Sequence, residues 1–352
     1  MSRFFSERYA ALIPYTPGEQ PQERKYIKLN TNESPFPPPP GVTAAVEEET
    51  KRLQLYSDPE SKAVTCALAE HYHLKSNQIL VGNGSDELLN FAFMAYCDET
   101  HPALFADITY GFYPVICSLN NIKYEEKPLK DDLTIDLNDF MNTGKTIFLA
   151  NPNAPTGIAL SLDTIETIVQ NNPDHVVIVD EAYVDFGAES AVPLIHKYDN
   201  LLVVQTMSKS RSLAGGRLGF VIGSKDLIKD LNTLKYSTNP YNVNRMTMAA
   251  GIGALEDDDY MKSNCQKIID VREYTCRELK DIGFEMTDSK ANFIFAKHEK
   301  ISGDELYSEL KKRNILVRYF NKPRLQDYVR ITIGTKEQMD ALISAVKQIL
   351  SY

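Results

Sequence analysis

Cysteine is scarce and unorganised in this chain. Cys66, Cys97, Cys117, Cys265 and Cys276 are scattered over 352 residues, odd in number and without a Cys-x-x-Cys pair. That excludes a disulfide framework and, with an opening stretch 1–8 that has no apolar signal core, predicts a cytoplasmic location. Long apolar runs are missing as well. None approaches the ~20 residues a membrane span needs, so no membrane partner is expected. Basic residues are outnumbered, 38 Lys plus Arg against 48 Asp plus Glu, for a formal charge of −10. A chain of that sign repels a phosphate backbone, which argues against nucleic acid, yet one or two converging arginines suffice for a small anion. The six histidines, His71, His73, His101, His175, His196 and His298, show no metal-ligand spacing, and no metal is expected. The acidic runs 47–49 and 256–259 read as solvated helix and loop surfaces.

What is present is apolar mass, 43% of the residues. Single cores stop growing near ~250–300 residues, so this length predicts two of unequal size. The proline-rich stretch 34–41 reads as an extended, stiff crossing between them, because successive prolines fix φ and exclude helix. From there to about 245, short apolar runs at 78–82, 103–107, 146–150, 176–180, 201–205 and 219–223 alternate with helical patterns. Strands apolar throughout suit a mainly parallel α/β sheet covered on both faces. Beyond 245 come a helical region (246–279), a strand (291–296), a helix (303–313), strands at 315–318 and 328–333, and a last helix (336–350). That is the pattern of a smaller α+β domain. The expected division is therefore 1–37 as an N-terminal arm and part of the small domain, 38–245 as the large domain, and 246–352 as the small C-terminal one.

Four motifs carry chemistry. Val177-Ile-Val-Asp180-Glu181-Ala182-Tyr183 releases a carboxylate at the end of a buried strand, where doubly wound sheets bind ligands. In Leu201-Leu-Val-Val-Gln205-Thr206-Met207-Ser208-Lys209, a second strand delivers Ser208 and Lys209, and a turn brings Arg217 back eight residues later. A lysine emerging into a crevice can have its pKa lowered by desolvation and cationic neighbours, as an amine nucleophile requires. In Gly82-Asn83-Gly84-Ser85-Asp86-Glu87 a Gly-rich turn opens an amphipathic helix whose first N–H groups suit a phosphate dianion. It is neither Gly-x-Gly-x-x-Gly nor a Walker lysine loop, which weakens a nucleotide-binding reading. The fourth motif, Asn151-Pro-Asn-Ala-Pro-Thr-Gly157, follows another strand at the same kind of edge.

Together these motifs resemble the fold-type I pyridoxal 5′-phosphate enzymes of the aspartate aminotransferase superfamily, and within it most closely the histidinol-phosphate aminotransferase family. The likeness runs from Ile13-Pro-Tyr15 and Leu29-Asn-Thr-Asn-Glu-Ser-Pro35 through Tyr56-Ser-Asp-Pro59 to Tyr328-Val-Arg-Ile-Thr-Ile-Gly-Thr335. It implies pyridoxal 5′-phosphate as cofactor, Lys209 as its covalent anchor and general acid/base, and Asp180 as partner of the pyridine nitrogen. It further implies Tyr183 on the phenolic oxygen, Tyr110 stacked on the ring, and the phosphate on the Ser85–Asp86 helix start with Ser208 and Arg217. Tyr56 matches a tyrosine that reaches the neighbouring subunit's site, which implies a homodimer. Tyr15, Asn32, Arg318 and Arg330 match substrate positions. The implied reaction is transamination of histidinol phosphate with 2-oxoglutarate; aromatic amino-acid aminotransferases and threonine-phosphate decarboxylases share nearly all these residues. A cofactor-binding module without turnover is the reading of another class. One departure stands out: the family usually has Asn directly before Pro-Thr-Gly, where it bonds the phenolic oxygen, and here it is Ala154, so that hydrogen bond is lost, taken over by Asn153, or left to Tyr183.

Overall fold

The computed structural model describes residues 2–22 and 25–351. A short strand β1 (Ile27–Lys28) precedes seven strands that form the main sheet. These are β2 (Ile79–Gly82), β3 (Ala103–Ala106), β4 (Tyr124–Lys127), β5 (Thr146–Ala150), β6 (Val177–Asp180), β7 (Leu201–Thr206) and β8 (Gly219–Gly223), in spatial order β2-β8-β7-β6-β5-β3-β4. Only β8 runs against its neighbours, so β2 again points with the rest. The carboxyl ends of β2, β3, β5, β6 and β7 therefore open on one edge.

Alternation along these strands explains why they are apolar throughout. Ile147, Leu149, Val177, Val179 and Val203 enter the core on one face of the sheet. Phe148, Ile178, Leu202 and Val204 enter the core on the other. Each such side chain, fully buried, stabilises the fold by about 1.5–3 kcal/mol. The edge strand β4, Tyr-Glu-Glu-Lys, pairs only with β3 and alternates between exposed and half-buried positions. It carries no apolar signature, which is why sequence patterning does not announce it.

The smaller sheet contains β9 (Phe284–Met286), β10 (Phe293–His298), β12 (Arg318–Tyr319) and β13 (Tyr328–Thr332), all antiparallel in the order β12-β13-β10-β9. A further strand, β11 (Ile315–Leu316), pairs in parallel with β1. Leu29 joins the core under this sheet together with Ile331, Ile333 and Leu342.

Two expectations change. The connector 34–41 is not extended throughout, because a helix Pro40–Thr50 begins on its last proline. The first helical position needs no N–H, and the fixed φ of proline suits it. The helical region after 245 is two helices, Arg245–Leu255 and Asp258–Asp281. Asp257 separates them and caps the second by accepting from the Tyr260 N–H at 3.2 Å. Among the described residues no helix is long and apolar enough to cross a membrane, and no cluster of His, Cys, Asp or Glu is arranged to hold a metal ion.

Candidate active site

The carboxyl edge of the main sheet gathers most of the residues singled out by sequence. Asp180, last in β6, is buried. Its Oδ2 accepts from the Tyr113 hydroxyl at 2.9 Å and its Oδ1 from the Ala182 N–H at 3.3 Å. Burial pushes the carboxyl up to about 6, against the Tyr113 bond that pulls it down. Lys209 lies in the turn after β7, two residues beyond the fully buried Met207, and donates to the Thr31 carbonyl at 3.2 Å. Burial first and the Arg330 charge second lower the lysine amine to about 8, with Glu33 and Asp86 opposing the shift. Tyr183, three residues past the end of β6, sets its ring 5.8 Å from that amine, and its hydroxyl accepts from Asn32 Nδ2 at 2.9 Å.

The Gly-rich turn after β2 holds Gly84 at φ +79°, and no side chain caps the helix Ser85–Tyr96 that follows. A Cβ on Gly84 would lie 2.4 Å from Arg217 Nη2, so the turn and the guanidinium meet only because this residue is glycine. Asp86 buttresses the place from within: Oδ1 accepts from the Tyr110 hydroxyl at 2.8 Å, and Oδ2 pairs with Arg217 at 3.4 Å. Ser208 Oγ accepts from Thr206 Oγ1 at 2.9 Å. An uncapped helix start beside a guanidinium and a hydroxyl is a site for a phosphate-sized anion.

Opposite lies the small sheet. Arg330 on β13 packs its guanidinium between the rings of Phe293 and Phe320, 5.2 and 5.5 Å from their centroids. Its Nη2 donates to the Asn30 carbonyl at 3.1 Å, and its buried Nε has no protein partner. Asn30 Oδ1 and Asn292 Oδ1 are likewise buried without partners. An unsatisfied buried guanidinium nitrogen is the kind of group a bound polar ligand satisfies. Tyr15 sets its ring edge against Tyr110 and Phe112, at 6.3 and 5.5 Å.

The chain matches the family model for aminotransferase class I and II over residues 24–346. It belongs to that family. This aminotransferase is 51% identical to histidinol-phosphate aminotransferase of Brachyspira hyodysenteriae over 352 residues, 99% of each chain. It is 47% identical to histidinol-phosphate aminotransferase 1 of Bradyrhizobium diazoefficiens, over 99% of this chain and 100% of the relative. Among solved structures, histidinol-phosphate aminotransferase from Sinorhizobium meliloti in complex with pyridoxal-5′-phosphate has a TM-score of 0.88 at 23% identity, covering 100% of this chain and 98% of that one. L-threonine-O-3-phosphate decarboxylase from Porphyromonas gingivalis reaches 0.80 at 22%, covering 93% and 100%. Those two likenesses speak for the fold of the aminotransferase alone.

Two sequence expectations sit differently in the aminotransferase. Asn153 donates its amide to the Ile108 carbonyl and to Thr156, and accepts from Thr109, so it ties two loops together and has no donor left for a cofactor. Arg318 spends its guanidinium on the carbonyls of Thr16 and Pro17, at 2.7 and 2.9 Å, clasping the N-terminal segment. Tyr56, expected to serve a neighbouring subunit's site, is 81% exposed and stacks on Tyr241 at 4.7 Å. Sequence reasoning missed Tyr113, the partner of Asp180. It opens the helix Tyr113–Asn120, three residues beyond Tyr110.

Proposed function

We propose that the chain transfers an amino group from histidinol phosphate to 2-oxoglutarate with pyridoxal 5′-phosphate as cofactor, a step of histidine biosynthesis. Relatives of that name at 45–51% identity over essentially the whole chain support the reaction. The observation that carries it is Arg330: a guanidinium with an unpartnered buried Nε, close enough to Lys209 to lower its pKa. A planar fork of donors suits the phosphate of one substrate and the carboxylates of the other.

When bound, pyridoxal 5′-phosphate supplies an electron sink for negative charge at the substrate's Cα. Lys209 then takes and returns the Cα proton, Asp180 holds the pyridine N–H, and Tyr183 donates to the phenolic oxygen. Tyr110 covers the ring. The Ser85–Asp86 helix start, Ser208 and Arg217 hold the phosphate. Tyr15, Asn32 and Arg330 form the substrate side, with Arg318 bracing the N-terminal segment that carries Tyr15. The cradle at Gly84 supports this fit, and Gly84→Ala tests it. We expect cofactor affinity, read by equilibrium dialysis, to fall about 30-fold or more, because a side chain there is both strained and in collision with Arg217.

The proposed unit is a cytoplasmic homodimer in which Tyr56 reaches the neighbouring site. Leu53 and Leu55, both more than half exposed beside Tyr56, support a covered face there. Unpaired thiols at all five cysteines suit a reducing compartment. We assign 1–37 to the arm and part of the small domain, 38–245 to the large domain, and 246–352 to the small one. The reaction is tested by parallel turnover of histidinol phosphate, phenylalanine and O-phosphothreonine. Dominant turnover of histidinol phosphate, with glutamate formed from 2-oxoglutarate, is expected; dominance of either other compound overturns the substrate.

A further inference from the structure

The resemblance implies an amide donor to the cofactor's ring oxygen at position 154, and this chain has Ala154 there. It is buried in an apolar cluster with Ala291, Phe293 and Tyr183. Asn153 is committed to its own loops, so neither residue makes good the loss. Asn32 is held very differently. It is 1% exposed and adopts a left-handed backbone, φ +56°. Its N–H donates to Thr332 Oγ1 at 2.9 Å, and that hydroxyl donates back to Asn32 Oδ1 at 3.0 Å. Its carbonyl accepts from Asn292 Nδ2 at 2.9 Å. With every other polar atom fixed, Nδ2 is aimed at the Tyr183 hydroxyl oxygen.

A hydroxyl oxygen that accepts from an amide keeps its own proton to give, in a direction the amide has fixed. We propose that Asn32 stands in for the donor missing at Ala154, acting through Tyr183 so that one oriented, polarised hydroxyl serves the ring oxygen of the cofactor. Asn32 is thus a positioning residue. The inference rests on the cofactor reading above. Burial raises the Tyr183 hydroxyl's pKa, and the Arg330 charge and the Asn32 bond draw it back.

The test is a pH titration of the visible absorbance of the cofactor-loaded protein. A donor on the ring oxygen favours its ionised form, so losing one raises the midpoint. Tyr183→Phe is expected to raise it by about one pH unit, one charge-assisted hydrogen bond's worth. Asn32→Gly, which keeps the left-handed backbone without strain, is expected to raise it by about half as much, and to add nothing in the Tyr183→Phe background. Thr332→Val loosens the same amide from behind and is expected to give a smaller rise, also absent without the Tyr183 hydroxyl. Unchanged midpoints in both Asn32→Gly and Thr332→Val, or an Asn32→Gly shift that persists beside Tyr183→Phe, overturn the inference. A wild-type protein that takes up no pyridoxal phosphate overturns the cofactor reading, and this inference with it.

Discussion

Lys209→Ala is expected to reduce turnover by a factor on the order of 10⁴ or more, since the proposed mechanism makes one side chain both nucleophile and proton carrier. The fold should not suffer. The amine makes one hydrogen bond, to Thr31, and its pKa of about 8 lies below the ordinary 10.5, with burial the main cause. The sign follows from that shift: below about 8 the charged amine burdens the folded state in full, and the burden fades as pH rises toward 10.5. At neutral pH the variant should therefore melt no lower than the parent. The same value sets the pH dependence of cofactor capture. Only the neutral amine attacks a carbonyl, so the rate at which the cofactor-free protein takes up pyridoxal phosphate should rise about tenfold per pH unit below 8 and level off above it. Stopped-flow absorbance between about pH 6 and 9.5 measures this; a flat profile contradicts it.

Asp180→Asn is expected to lower kcat by about 10³-fold, the scale on which a preorganised charge at a reacting centre is felt. Cofactor retention should fall far less, because the proposed phosphate site is the helix start at Ser85 and not Asp180. The geometry gives the reason. Tyr113 occupies Oδ2, leaving Oδ1, with its long bond from Ala182, for the proposed ring N–H. Burial holds the carboxyl up to about 6, so it gains from a cationic neighbour, and an amide of the same shape cannot repay that. Tyr113→Phe should act in the same direction by about tenfold, through the loss of one hydrogen bond to a charged group. Equal losses of kcat and cofactor affinity in Asp180→Asn would contradict this division of labour.

The central strands are legible in the sequence because burial on both faces leaves a continuous apolar run, as in Val177-Ile-Val and Leu201-Leu-Val-Val. The edge strand Tyr124–Lys127 is not, because one neighbour and open solvent impose no such run. At the site, residues fixed by local motifs can be read directly: Asp180, Lys209 and the Gly84 turn each lie within a few residues of a strand end. Residues fixed by long-range partners cannot. Nothing local to Tyr113 names Asp180, and nothing near Arg318 names the carbonyls of Thr16 and Pro17. Asn153 shows the same limit from the other side, since a loop asparagine reads as an available donor until its neighbours are known.

The parallel pairing of Ile27–Lys28 with Ile315–Leu316 has a consequence for synthesis. Asn32 and its anchor Thr332 are 300 residues apart, and Thr31, which receives the Lys209 amine, lies on the same early segment. On the ribosome the main sheet can form while that segment still waits, its partner strands unmade. The nascent protein is thus an unfinished catalyst until translation passes Thr332, and its most reactive amine stays without its acceptor until then.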